Sequence, residues 1–122
     1  MRAPVIVGID LVAIIVFAVI GRASHAHELS LAGIAQTAWP FLVAGVIGST
    51  LSLLLAGPWW RQGLVAWLVT TVGGMVLRVL GGDTAAMGFI VVGTILLALF
   101  LIGWRWLARG QLARVRPSVR AG

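Results

Sequence analysis

Four runs of predominantly apolar residues, each close to the length of a membrane span, set what this chain can fold into. A helix needs about 20 such residues to cross a hydrocarbon core of ~30 Å, because it rises only ~1.5 Å per residue. The runs cover about Val5 to Gly21, Trp39 to Ala56, Gly63 to Leu80 and Ala86 to Leu107. Each is apolar on all sides rather than along one stripe, the pattern of a helix surrounded by lipid. The expected fold is therefore all-α: an integral membrane four-helix transmembrane bundle over residues 1–108, followed by a basic tail over 109–122.

Composition excludes the soluble alternative. Of the 122 residues 61% are hydrophobic and 10% charged, against ~45–50% and ~25% in soluble domains. A water-soluble chain this short leaves roughly a third of its surface exposed and cannot hide that much apolar area. Cysteine is absent, which removes disulfides, thiolate metal sites and thiol nucleophiles.

The breaks between runs carry their own signals. Gly57 followed by Pro58 ends the second span, since glycine accepts a left-handed cap and proline cannot continue the ladder. Gly81, Gly82 and Asp83 form a tight turn between the third and fourth spans. Trp39, Trp59, Trp60, Trp104 and Trp106 fall near span ends, where an indole buries its ring and keeps its N–H among headgroups. The long connection from Gly21 to Ala38 is expected to hold a short interfacial helix. Ser30 would cap it, Leu31, Ile34 and Ala38 would share its apolar face, and Pro40 would kink the chain into the second span.

Arginine placement orients the bundle. Four spans put both termini and the central connection on one side, which collects Arg2, Arg61, Arg105, Arg109, Arg114, Arg116 and Arg120, while the other side holds Arg22 and Arg78. The positive-inside rule makes the richer side cytoplasmic. A multi-pass protein of the cell membrane with both termini cytoplasmic is expected. Ser24-His25-Ala26 has the spacing of a signal-peptide cleavage site, but Asp10 inside the apolar run and Arg22 beside the cut are poor signal features. The first segment is expected to stay.

In lipid, helices associate through small residues and polar contacts. The second span carries Ala44, Gly48, Ser52 and Ala56 at intervals of four, and the third carries Ala66, Thr70 and Gly74. These stripes predict an internal seam, with a homodimer face as the alternative. Asp10 is the acid within a span, and an ionised aspartate near mid-membrane costs ~2.5–3.5 kcal/mol unless paired or wetted. Arg105, at a similar depth on the fourth span, is the predicted partner, with Arg61 as substitute. Ala13, Phe17 and Gly21 share the face of Asp10 and should point inward.

At the other end stand Arg22, His25, His27, Glu28, Arg78 and Asp83. Arg22 and Arg78 end spans that point outward, so their guanidinium groups can meet there with Asp83 or Glu28 as counter-charge. Such a pair can bind a carboxylate or phosphate, or reach lipid phosphates. His25 and His27 supply at most two metal ligands from one loop, so no cofactor or metal is expected. Nucleophile-elbow and phosphate-loop patterns are missing, and there is no lysine. The arginine tail from Arg109 to Arg120 reads as an arm on anionic headgroups rather than a nucleic-acid domain.

Gly21-Arg22-Ala23-Ser24-His25, Trp39-Pro40-Phe41, Gly74-Met75-Val76-Leu77-Arg78, Phe89-Ile90-Val91-Val92 and Gly103-Trp104-Arg105, taken in order with Asp10, resemble the bacterial and archaeal membrane family known as domain of unknown function 3054. The resemblance covers about Asp10 to Arg105 and leaves the arginine tail outside. It implies a compact four-span membrane protein and brings no activity with it. The expected function is a non-enzymatic structural or interaction role in the membrane, with a second copy or another membrane protein as partner. The alternative is a small proton-coupled carrier using Asp10. A membrane enzyme acting on a lipid headgroup through Arg22, His25 and Arg78 is the third reading.

Overall fold

The computed structural model describes residues 1–24 and 30–112. Four long helices follow one another: α1 Ala3–Ser24, α2 Leu31–Leu55, α3 Trp59–Leu80 and α4 Met87–Leu107, with the single turn α5 Arg109–Leu112 behind them. All four long helices are extended and apolar enough to cross a membrane. Short connections at residues 56–58 and 81–86 force α2, α3 and α4 into antiparallel succession. α2 packs most extensively on α3; α1 packs on α2, α3 on α4, and α4 returns to α1, so the bundle closes on itself. The Met1 amino group lies 3.4 Å from the Gln111 carbonyl, which puts the two ends of the described chain side by side.

The expected separate interfacial helix is not formed. Ser30 does cap, its Oγ accepting from the Gly33 N–H at 3.0 Å, but the helix it starts runs unbroken through Pro40 to Leu55. Pro40 removes one intrahelical hydrogen bond. Ending the helix there would leave several backbone groups unsatisfied in a medium without water, so continuation costs less. At ~1.5 Å per residue the 25 residues of α2 reach roughly 37 Å, longer than the hydrocarbon core. Its first turn leaves Leu31 exposed. At the other end the helix stops at Leu55, ahead of the expected glycine. Ala56 takes a positive φ of 55° with ψ of −177° and Gly57 a positive φ of 121°, so the chain leaves the helix through two positive-φ residues, and the alanine, in a region open almost only to glycine, carries ~1–3 kcal/mol of local strain.

Buried positions recur every four residues on each helix. α1 buries Ile6, Asp10, Ile14 and Ala18, and α3 buries Gln62, Ala66, Thr70 and Gly74. α4 buries Phe89, Gly93, Leu97, Leu101 and Arg105, while α2 buries Gly33, Thr37, Phe41, Gly45 and Ser49. Rows of this spacing are inclined to the helix axis and interlock as ridges and grooves. Continued by one step, the α1 row reaches Arg22 and the α3 row reaches Arg78. The rows therefore run from one polar end of the bundle to the other across an apolar middle.

That middle is a cluster of Ile14, Phe17, Phe41, Phe89, Leu97 and Leu101. Phe17 meets Phe41 edge-on at 5.1 Å between centroids, and Phe89 completes the triangle at 6.1 and 6.0 Å. Small residues make the space: a Cβ on Gly74 would fall inside the Phe41 ring, and one on Gly48 would stand 3.0 Å from Val69 Cβ and 3.1 Å from the Ala66 carbonyl. The small-residue stripes of α2 and α3 are thus an internal seam, except that Ala56 lies outside it, exposed in the cap. Outward faces carry residues such as Val12, Ile47, Val72 and Leu99, all more than half exposed.

Candidate functional site

Asp10 sits seven residues into α1, roughly 10 Å from its start at ~1.5 Å per residue. Arg105 approaches from the last turn of α4 and brings its guanidinium flat against the carboxylate. Arg105 Nη1 donates to Asp10 Oδ1 and Nη2 to Oδ2, both at 2.7 Å, the fork geometry that makes arginine and carboxylate pair most strongly. Both side chains are withdrawn from solvent, Arg105 at 0% and Asp10 at 1% exposure. Arg105 Nη1 also donates to the Leu101 carbonyl at 2.9 Å. Gly63 of α3 lets the arginine stem pass, since a Cβ there would lie 3.4 Å from Arg105 Cδ and 3.2 Å from Ile102. Arg61, the substitute partner, is exposed.

A third donor completes the pair. Trp104 Nε1 donates to Asp10 Oδ1 at 2.8 Å, and the Arg105 guanidinium lies 4.8 Å from the centre of the same indole. Trp104 is therefore a member of the ion-pair site rather than the interfacial anchor its position suggested. Trp60 and Trp106 are exposed near helix ends, whereas Trp39, also exposed, lies more than two turns inside α2 because that helix starts at Leu31, and it packs over the backbone of Gly81, where a Cβ would stand 2.9 Å from its ring. Trp67, deep in α3, ties α3 to α4 by donating to the Thr94 carbonyl at 3.0 Å.

The opposite end of the bundle opens into a vestibule of about 310 Å³ lined by Gly21, Arg22, Thr37, Arg78, Asp83 and Phe89 among others. Arg22 lies against the backbone of Gly33, where any Cβ would strike its guanidinium, and donates to Thr37 Oγ1 at 3.2 Å. Arg78 donates from Nε to the Thr84 carbonyl at 2.7 Å and covers the Phe89 ring at 4.1 Å. Its contact with Asp83 Oδ1 is long, 3.6 Å, beyond the ~2.7–2.9 Å of a charge-assisted hydrogen bond. Arg78 Nη1 is buried with no hydrogen-bond partner among the described residues. An unsatisfied buried donor of this kind costs ~1–3 kcal/mol.

The structure thus brings Arg22, Arg78 and Asp83 into one cavity. His25, His27 and Glu28 lie outside the described residues, as do Arg114, Arg116 and Arg120. Among the described residues no three histidine, aspartate or glutamate side chains come together as metal ligands. Thr37 and Phe89 belong to the vestibule and Trp104 to the ion pair, and no charge marked any of the three in the sequence. The first residues of the expected tail are helical, and Leu112 is buried against the bundle.

A family model described as "Protein of unknown function (DUF3054)" matches residues 7–108, and the chain belongs to that family. The matched stretch takes in Asp10, Arg22, Arg78, Trp104 and Arg105 and stops before α5. Neither a curated protein nor a solved structure matches the chain.

Proposed function

We propose that this small membrane protein is a non-enzymatic structural unit of the cytoplasmic membrane, a four-helix partner for another membrane protein or for a second copy, in which Asp10 and Arg105 lock the first helix to the last. The observation that carries the reading is the complete use of the Asp10 carboxylate. It accepts three hydrogen bonds at 2.7–2.8 Å and has 1% exposure. A carrier's acid must exchange its proton with water on each side in turn. Here Phe17, Phe41, Leu97 and Leu101 fill the core, and along α4 the leucines stand between Phe89 of the vestibule and Arg105. Two polar residues of the α2–α3 seam support the same reading, while Ser49 Oγ and Thr71 Oγ1 are buried without a partner among the described residues. Ser52 donates to the Ser49 carbonyl at 2.6 Å, and Thr70 faces Gly48 across the α2–α3 seam.

The arginine balance favours cytoplasmic termini, and the closeness of Met1 to Gln111 agrees with two ends on one face. In proteoliposomes, Asp10→Asn should leave proton flux at the level of the unsubstituted protein while lowering its melting temperature. Substrate-dependent proton flux that disappears in Asp10→Asn, with the melting temperature kept, would establish the carrier instead.

A further inference from the structure

We propose that the outer vestibule is a binding site for a phosphate group, held by the guanidinium of Arg78 with Arg22 on the facing wall. The inference is independent of the ion-pair lock, because it rests on the opposite end of the bundle. Arg105 and Arg78 are held differently. Arg105 has both terminal nitrogens within 2.7 Å of a carboxylate, and only its Nε is buried without a partner among the described residues. Arg78 is fixed at Nε by the Thr84 carbonyl and supported from below by Phe89, yet among the described residues its buried Nη1 is without a partner and its ion-pair contact, with Asp83, stays at 3.6 Å.

A guanidinium oriented by its Nε and stacked on a ring has little entropy left to lose, and its remaining N–H groups form a fork suited to an oxyanion. Arg22 reaches the same cavity from α1, so donors approach from two helices, which separate oxygens of a tetrahedral phosphate can accept. A volume of about 310 Å³ is the small end of ligand pockets, large enough for a phosphate with a short polar substituent. The vestibule sits where α1 and α3 end and α2 and α4 begin, the depth of headgroups in a spanning bundle. Lipid headgroup and free phosphate present the same chemistry there.

The purified full-length chain in detergent tests this by native mass spectrometry with phosphatidylglycerol, phosphatidylcholine or a fatty acid, and by melting in inorganic phosphate against chloride at equal ionic strength. Retention of phosphatidylglycerol over the fatty acid assigns a lipid phosphate, and a melting point raised by inorganic phosphate assigns a free one. Either affinity should fall tenfold or more in Arg78→Gln, several-fold in Arg78→Lys, and not in Arg109→Gln, which alters an exposed arginine at the other end. The proposal is overturned by undiminished binding in Arg78→Gln, by an equal loss in Arg109→Gln, or by neither phosphate source binding. Should Arg78→Gln misfold, undiminished binding by Arg78→Lys overturns it.

Discussion

Trp104 and Asp10, 94 residues apart, are joined by an indole N–H to carboxylate hydrogen bond of 2.8 Å at the end of the bundle where α1 begins and α4 ends. The indole does more than fill a helix end: it satisfies an oxygen that already accepts one arginine N–H, so α4 contacts α1 through two successive residues. Trp104→Phe keeps the ring and removes the donor. The expected cost is ~1.5–3 kcal/mol, typical of a hydrogen bond to a charged group, read as a lowered unfolding midpoint in mixed micelles. Trp106→Phe, at an exposed ring, should change stability by no more than ~0.5 kcal/mol.

Gly74 tests the packing account of the seam. A methyl at this position meets the Phe41 ring, so Gly74→Ala should destabilise by ~1–3 kcal/mol through overpacking. Combining it with Phe41→Leu should recover part of the loss, since the residues share one contact. Gly88, which has open space around its Cβ direction, should accept alanine with no loss of stability.

Topology is open to direct labelling because the chain has no cysteine of its own. A single cysteine at Thr84 should react with a membrane-impermeant maleimide added to intact cells. One at Pro58 should react only after the cells are opened. The reverse pattern would invert the orientation drawn from the arginines.

The four spans and the Asp10 to Arg105 contact were legible in the sequence for one reason: a charge in lipid must find a partner at its own depth. Asp10 and Arg105 fell at matching depths on the first and last helices. Trp104 was not legible, because successive residues on a helix diverge by ~100° and no spacing rule sends both side chains to one oxygen. Pro40 misled for a different reason. Its helix-breaking reputation comes from water, where freed carbonyls find new partners, and in lipid the helix continues through it. At the vestibule Arg22, Arg78 and Asp83 announced themselves by charge, whereas Thr37 and Phe89 became visible only once the chain was folded around them.

The most direct measurement of the lock is a thermodynamic cycle across Asp10→Asn, Arg105→Gln and the double substitution, with unfolding followed in mixed micelles. Each single change strands one buried partner, and should cost ~3–5 kcal/mol. The double change, stranding neither, should be destabilised by well under the sum of the two. Strictly additive losses would show that Asp10 and Arg105 do not hold α1 to α4, and would contradict the structural role assigned to them.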